Sequence, residues 1–192
     1  MNVKRLLDLV KGRQGTEGAP LRSFLVVIYG APLAGKTSLA WQVARSLPGK
    51  AAVVSVDALL GGGIAVPAED AASELEMVHT QMRLLVANYM RNGYHVVVEG
   101  PFYYSRGGAW FGFERDIGQL VALMRNMTER SLVVRLEASA ELLEARARAS
   151  GRGGELEDAV GAAGRYGPRY GPNALTLDAS EPLQELAAKV RG

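Results

Sequence analysis

The stretch "FLVVIYGAPLAGKTSLA", residues 24–40, decides the fold. It opens on a short apolar run, 24–29, that reads as a buried strand. Gly30-Ala31-Pro32-Leu33-Ala34-Gly35-Lys36-Thr37 then matches G-x-x-x-x-G-K-[ST]. The segment 35–47 reads as a helix that stops before Pro48-Gly49. A strand, a glycine-rich turn and a helix N-terminus in that order make an anion cradle. Backbone N–H groups turn inward, and the helix end adds partial positive charge. Gly30, Leu33, Ala34 and Gly35 would supply that backbone. Lys36 would reach the β- and γ-phosphates of a nucleotide, Thr37 would ligate Mg²⁺, and Ser38 would touch the α-phosphate.

Outward from this motif the pattern alternates. Apolar runs at 51–56, 94–100, 131–138 and 174–180 read as strands, and 69–93, 115–127, 141–150 and 181–192 as helices. Apolar strands alternating with helices make βαβ units. The expected class is α/β: a three-layer α/β/α P-loop NTPase with a parallel five-stranded sheet and a short lid. Residues 24–192 form the expected domain, with the lid at about 150–173, preceded by a helix and loop over 1–23. In such sheets ligands sit beyond the carboxyl ends of the strands. Two segments interrupt the alternation, 59–69 and 151–173. The second contains "RYGPRYGP", read as a Gly/Pro-stiffened turn carrying Tyr166 and Tyr170.

Composition narrows the classes. A chain of 192 residues suits one domain, and a net charge of +2 is too small for a dedicated duplex-DNA binder. The absence of cysteine excludes disulfides and thiolate metal sites and fits a cytoplasmic protein. No apolar run reaches the length of a membrane span, and 1–15 reads as a short amphipathic helix on the domain's flank, not a signal peptide. No N-K-x-D guanine-reading tetrapeptide occurs, so ATP is the expected nucleotide, with Mg²⁺.

Asp57 ends the second strand, where a carboxylate can take a proton from an attacking hydroxyl. Glu99 ends the third, where it can hold a Mg²⁺-bound water or polarise a water for hydrolysis. Arg146, Arg148 and Arg152 stand at the mouth of the second long loop, where mobile guanidiniums can close over a transferring phosphoryl group. Arg146 and Arg152 are the preferred catalytic pair. In "PFYYSRGGAWFGFERD", 101–116, Phe102, Tyr103, Tyr104 and Trp110 suit a core or an acceptor pocket equally, and the glycines among them indicate a loop. Arg106 or Arg115 would bind an anionic group there. His79 and His95 show no partner in the sequence and read as structural.

These features together resemble the small P-loop kinases of the nucleoside-monophosphate-kinase-like group. The branch it resembles most includes polynucleotide 5'-kinase domains, chloramphenicol phosphotransferase and zeta toxins. The likeness runs over about 24–190 and rests on "GAPLAGKTS", "VVSVDAL", "HTQMRLLVANYMRNGYHVVVEGPF", and "VVRLEASAELLEARARASGRG" followed by "LTLDASEPLQEL". It implies Asp57 as proton acceptor and Arg146, Arg148 and Arg152 on a lid, and it does not name the substrate; Asp57 and the lid arginines point to ATP-dependent transfer to a small-molecule hydroxyl. It also implies that Asp178 to Ser180 border the adenine. The alternatives are a P-loop ATPase acting as a switch on a protein partner, which Glu99 suits, and a polynucleotide 5'-hydroxyl kinase. The small net charge argues against the latter.

Overall fold

The computed structural model describes residues 23–64, 66–67, 69–166 and 174–192. Of the helix and loop expected over 1–23, all but Ser23 lie outside these residues, as does Tyr170 with most of its repeat. Strands β1 (Ser23–Tyr29), β2 (Ala51–Ser55), β3 (His95–Gly100), β6 (Thr128–Glu137) and β7 (Ala174–Asp178) form one parallel sheet in the order β2-β3-β1-β6-β7. A separate antiparallel hairpin joins β4 (Tyr103–Arg106) to β5 (Ala109–Gly112). The helices are α1 (Lys36–Ser46), α2 (Val56–Gly63), α3 (Ala71–Arg91), α4 (Glu114–Met124), α5 (Ala140–Ser150), α6 (Leu156–Ala163) and α7 (Leu183–Arg191).

Side-chain alternation on the central strand builds both layers of core. Leu25, Val27 and Tyr29 face one side, where they meet Val78, Met82 and Val86 of α3 and Ile117 and Leu120 of α4. Val26 and Ile28 face the other, against Leu39 and Val43 of α1, Leu143 of α5 and Leu186 of α7. Because both faces are covered, β1 reads as a continuous apolar run. Helix ends follow their caps. Asp70 accepts from the backbone N–H of Ala72 and Ser73 at the start of α3, and Ser139 accepts from Leu142 at the start of α5. Gly93 and Gly151, at φ 75° and 68°, close the far ends.

Three expectations change. The irregular segment expected over 59–69 begins as helix, as far as Gly63: Ser55 caps Ala58 and starts α2, so Asp57 sits in a first helical turn and not at a strand end. The segment 101–116 is no open loop, because the Gly107-Gly108 pair, at φ 58° and 79°, turns it into a hairpin. The expected irregular lid is ordered into a 3₁₀ turn, Gly153–Glu155, and helix α6 as far as Ala163.

The P-loop is fixed by close approach. A Cβ on Gly30, at φ 154°, would lie 2.3 Å from the backbone oxygen of Leu136 on β6. Neither backbone can retreat without breaking the sheet. Gly30→Ala should therefore cost about 2–4 kcal/mol, read as a lower urea midpoint at unchanged m-value.

Candidate active site

The P-loop leaves β1 through Gly30 and enters α1 at Gly35, whose φ of 93° marks it as the left-handed N-cap. Leu33 holds a left-handed φ of 66°, rare for a side chain with a Cβ. Ala34 N–H donates to the Ala31 oxygen at 3.2 Å, closing the turn. The first turn of α1 carries no acidic residue, so its N-terminal partial charge is uncompensated by the chain itself. Lys36 is buried, and its Nζ donates to the Ala31 oxygen at 2.9 Å. Burial pushes its ammonium below the usual lysine value, while the charges of Asp57 and Glu99 pull the other way.

A cavity of about 770 Å³ opens from this turn, within the usual size of ligand sites. Leu33, Gly35, Lys36, Thr37 and Ser38 of the P-loop line it. Asp57, Arg146 and Arg152 line it with them, as do Tyr103, Tyr104, Arg106 and Trp110 of the hairpin. Residues far apart in sequence, and expected at one site, thus share one cavity. Gly30 and Ala34 lie outside its lining: Gly30 makes the close approach to β6, and Ala34 is buried with its carbonyl turned to Arg146.

Asp57 is exposed to the cavity, yet protein fills most of the shell around it. A carboxylate on a cleft wall can be reached by water and still be poorly solvated. That loss of solvation raises its pKa; Lys36 opposes the rise and Glu99 adds to it.

Glu99 is placed differently from expectation. It is fully buried beneath the cavity and does not line it, and neither carboxylate oxygen has a hydrogen-bond partner among the described residues. An orphaned buried carboxylate beside a P-loop lysine fits a site that gathers positive charge. The donor set also fits Mg²⁺: a Thr37 hydroxyl open to the cavity for direct ligation, and Glu99 in support behind it.

The arginines separate. Arg146 is no mobile lid residue, because it rises from the body of α5 and its guanidinium is spent on three carbonyls. Nη1 donates to Ala34 at 2.6 Å and to Leu33 at 3.3 Å, and Nη2 donates to Ala179 at 2.7 Å. It clamps the P-loop to the loop after β7, where Asp178 accepts from the Ser180 N–H at 2.8 Å. Arg148, one helical step away, points outward to pair with Glu144 at 3.0 Å and does not line the cavity. Arg152 lines it, half-exposed and held by Glu155 in a two-pronged pair. That pair raises the Arg152 value and lowers the Glu155 value. Arg148→Ala should leave kcat/KM within about twofold, while Arg152→Ala should lower it about 10- to 100-fold, read in parallel ADP-release assays.

In the aromatic segment, Phe102 is not a pocket residue. It is fully buried at a left-handed φ of 56°, with its ring edge-on to His79. Arg106 is not free for an anion, because it pairs with the buried carboxylate of Glu74. Arg115 is exposed and stands outside the cavity lining. Tyr166 is more than a turn residue: its hydroxyl donates to the Pro101 oxygen at 2.7 Å, and its ring packs edge-on against Tyr29 and Tyr103.

One constellation escaped the sequence reading. His79 Nε2 lies 3.2 Å from the Tyr104 hydroxyl and Nδ1 lies 3.1 Å from Asp116, which also accepts from Arg83 at 3.1 Å. Burial works to raise the Asp116 carboxyl, but its His79 and Arg83 partners outweigh that and hold it below the usual value. Of this chain only the spacing of His79 and Arg83, one turn apart on a helix, is visible in sequence.

A protein-family profile described as an AAA domain matches residues 25–165. No curated protein matches the chain at a significant level. Among solved structures, the APS kinase of Mycobacterium tuberculosis, in complex with AMPPNP and APS, superposes with a TM-score of 0.65 at 19% identity. That match covers 88% of this chain and 96% of the other. A gluconokinase from Sinorhizobium meliloti 1021 gives 0.56 at 17% identity, covering 90% of each chain. The shikimate kinase of Acinetobacter baumannii, in complex with shikimate, gives 0.55 at 16%, covering 90% and 92%. The P-loop geometry, the 2-3-1-6-7 sheet and the span of the profile together place this chain in the AAA-domain family, with the fold of the small P-loop kinases.

Proposed function

We propose that the protein is a kinase that moves the γ-phosphoryl group of Mg·ATP to a hydroxyl of a small molecule. The observation that carries this reading is the company the P-loop keeps: Lys36 and Thr37 share one cavity of about 770 Å³ with Asp57 and with Tyr103, Tyr104 and Trp110 of the hairpin. A nucleotide hydrolase needs room for one water beyond the γ-phosphate, whereas this cavity carries aromatic side chains on its wall as well.

In the proposed mechanism, Lys36 and the backbone of 30–38 hold the phosphates. Arg146 keeps the P-loop in register with the loop after β7. Mg²⁺, held through Thr37 with Glu99 behind, would supply charge neutralisation between the phosphates. Arg152 exchanges Glu155 for the transferring phosphoryl group. Asp57 takes the proton of the acceptor hydroxyl, and its raised pKa makes it a stronger base than an ordinary surface aspartate. Most of the catalysis is positioning and charge stabilisation. The position of Glu99 behind the cavity wall supports Asp57 rather than Glu99 as the base.

The test is ADP release from Mg·ATP with and without pooled small hydroxyl compounds, with phosphorylated product followed by mass. Acceptor-stimulated ADP release with matching product is the expected result. ADP release indifferent to every pool would overturn the reading in favour of an ATPase.

A further inference from the structure

The charge balance of the cavity differs from that of a site for an acid. Among the described residues four cations line it, Lys36, Arg106, Arg146 and Arg152. Lys36 stands at the P-loop, Arg146 is consumed by three backbone carbonyls, and Arg152 is paired with Glu155. Arg106 of β4 is the described cation in the lining that comes from the aromatic hairpin, and it is paired with Glu74. The Glu74 side chain is 3% exposed, so an anionic ligand that recruited Arg106 would have to compete for it with a buried carboxylate. The acids behave differently. Asp57 and Asp158 both line the cavity, both are exposed, and neither has an ion-pair partner within 4 Å among the described residues. When Arg152 turns to the phosphoryl group, Glu155 becomes a third.

The rings point to the same ligand. Tyr103 donates its hydroxyl to Glu114 at 2.9 Å and Tyr104 spends its own on His79, so both rings are held in place by interior partners. One face of Trp110 is taken by the Arg165 guanidinium, 4.0 Å from its ring centre, which leaves Tyr103 and Tyr104 as the rings for a ligand. Aromatic faces beside unpaired carboxylates favour an organic cation.

We propose, resting on the kinase reading above, that the acceptor is a hydroxyl compound that carries a protonated amine and no anionic group. The ammonium is the handle, held among Asp158 and the rings. It has no lone pair and is not the nucleophile. The hydroxyl oxygen bonds to the γ-phosphorus, its proton passes to Asp57, and the bond from phosphorus to the bridging oxygen breaks to release ADP.

Two matched series test this: glucosamine, glucose and gluconate; and 2-amino-1-phenylethanol, 1-phenyl-1,2-ethanediol and mandelate. Each is offered with Mg·ATP, and phosphorylated product is followed by mass. The expected result in a series is a kcat/KM at least about tenfold higher for the amine than for the acid. Asp158→Asn should reduce the amine-to-neutral ratio about fivefold or more, and Glu74→Gln, by releasing Arg106, should raise the acid-to-amine ratio. Thermal unfolding of both variants checks that they fold. Equal use of all three charge types, or preference for the acid, overturns the inference and leaves the kinase reading standing. An amine-to-neutral ratio unmoved in folded Asp158→Asn also overturns it. ATP hydrolysis without product from any compound overturns the kinase reading and this inference with it.

Discussion

Lys36→Ala abolishes ATP turnover: kcat should fall about 10²- to 10⁴-fold, to the background of the assay. Lys36 is the one buried ammonium at the P-loop, tethered to the Ala31 oxygen, and its position is set by the strand–turn–helix backbone rather than by a flexible loop. Among the described residues that line the cavity, no other cation stands ready to take its place. Arg146 is bound to carbonyls, and Arg152 reaches the cavity from the lid side. The companion measurement is the rise in melting temperature that Mg·AMPPNP gives the wild type, since a ligand that binds only the folded state stabilises it by mass action. That rise should shrink in Lys36→Ala. Turnover within tenfold of wild type would mean that Lys36 does not bear on the phosphates.

Asp57→Asn should separate binding from transfer. The nucleotide-induced rise in melting temperature should persist, because Asp57 lies on α2 and not on the P-loop. Transfer should fall about 10²- to 10⁴-fold, the usual contribution of a positioned base. Two pH effects follow from its raised pKa. Transfer by the wild type should lose rate as pH falls through the Asp57 value, which lies above the ordinary 3.8, and the asparagine variant should lack that limb. Stability carries the opposite mark. A carboxyl whose pKa is raised on folding contributes stability below its unfolded value, and this is lost as pH rises through the folded value. At pH 7–8 the charged carboxylate therefore costs the apo protein stability, and Asp57→Asn should melt higher there. The two melting curves should converge as pH falls through the folded value. A variant that transfers phosphate normally would remove Asp57 as the base, and one that melts lower at pH 8 would contradict its poor solvation.

The sequence alone determined the frame. β1, the P-loop and α1 were legible because a glycine-rich turn between an apolar run and an amphipathic segment leaves few backbone solutions. The five strands of the sheet and helices α1, α3, α4, α5 and α7 were legible because periodicity is local, encoded within a few residues; α2, α6 and the β4–β5 hairpin were not. The tertiary structure decided which side chains meet. Arg146 and Arg148 are two residues apart in one helix; one clamps carbonyls across the chain from it, and the other pairs on the surface. Phe102 went to the core while its neighbour Tyr103 went to the cavity, because a positive φ turned the chain between them. Tyr104, His79, Asp116 and Arg83 came together from three elements, and Glu74, on the same helix as His79, engaged Arg106. Such pairings depend on how helices and hairpin pack over the sheet, at distances in sequence where local pattern carries no information.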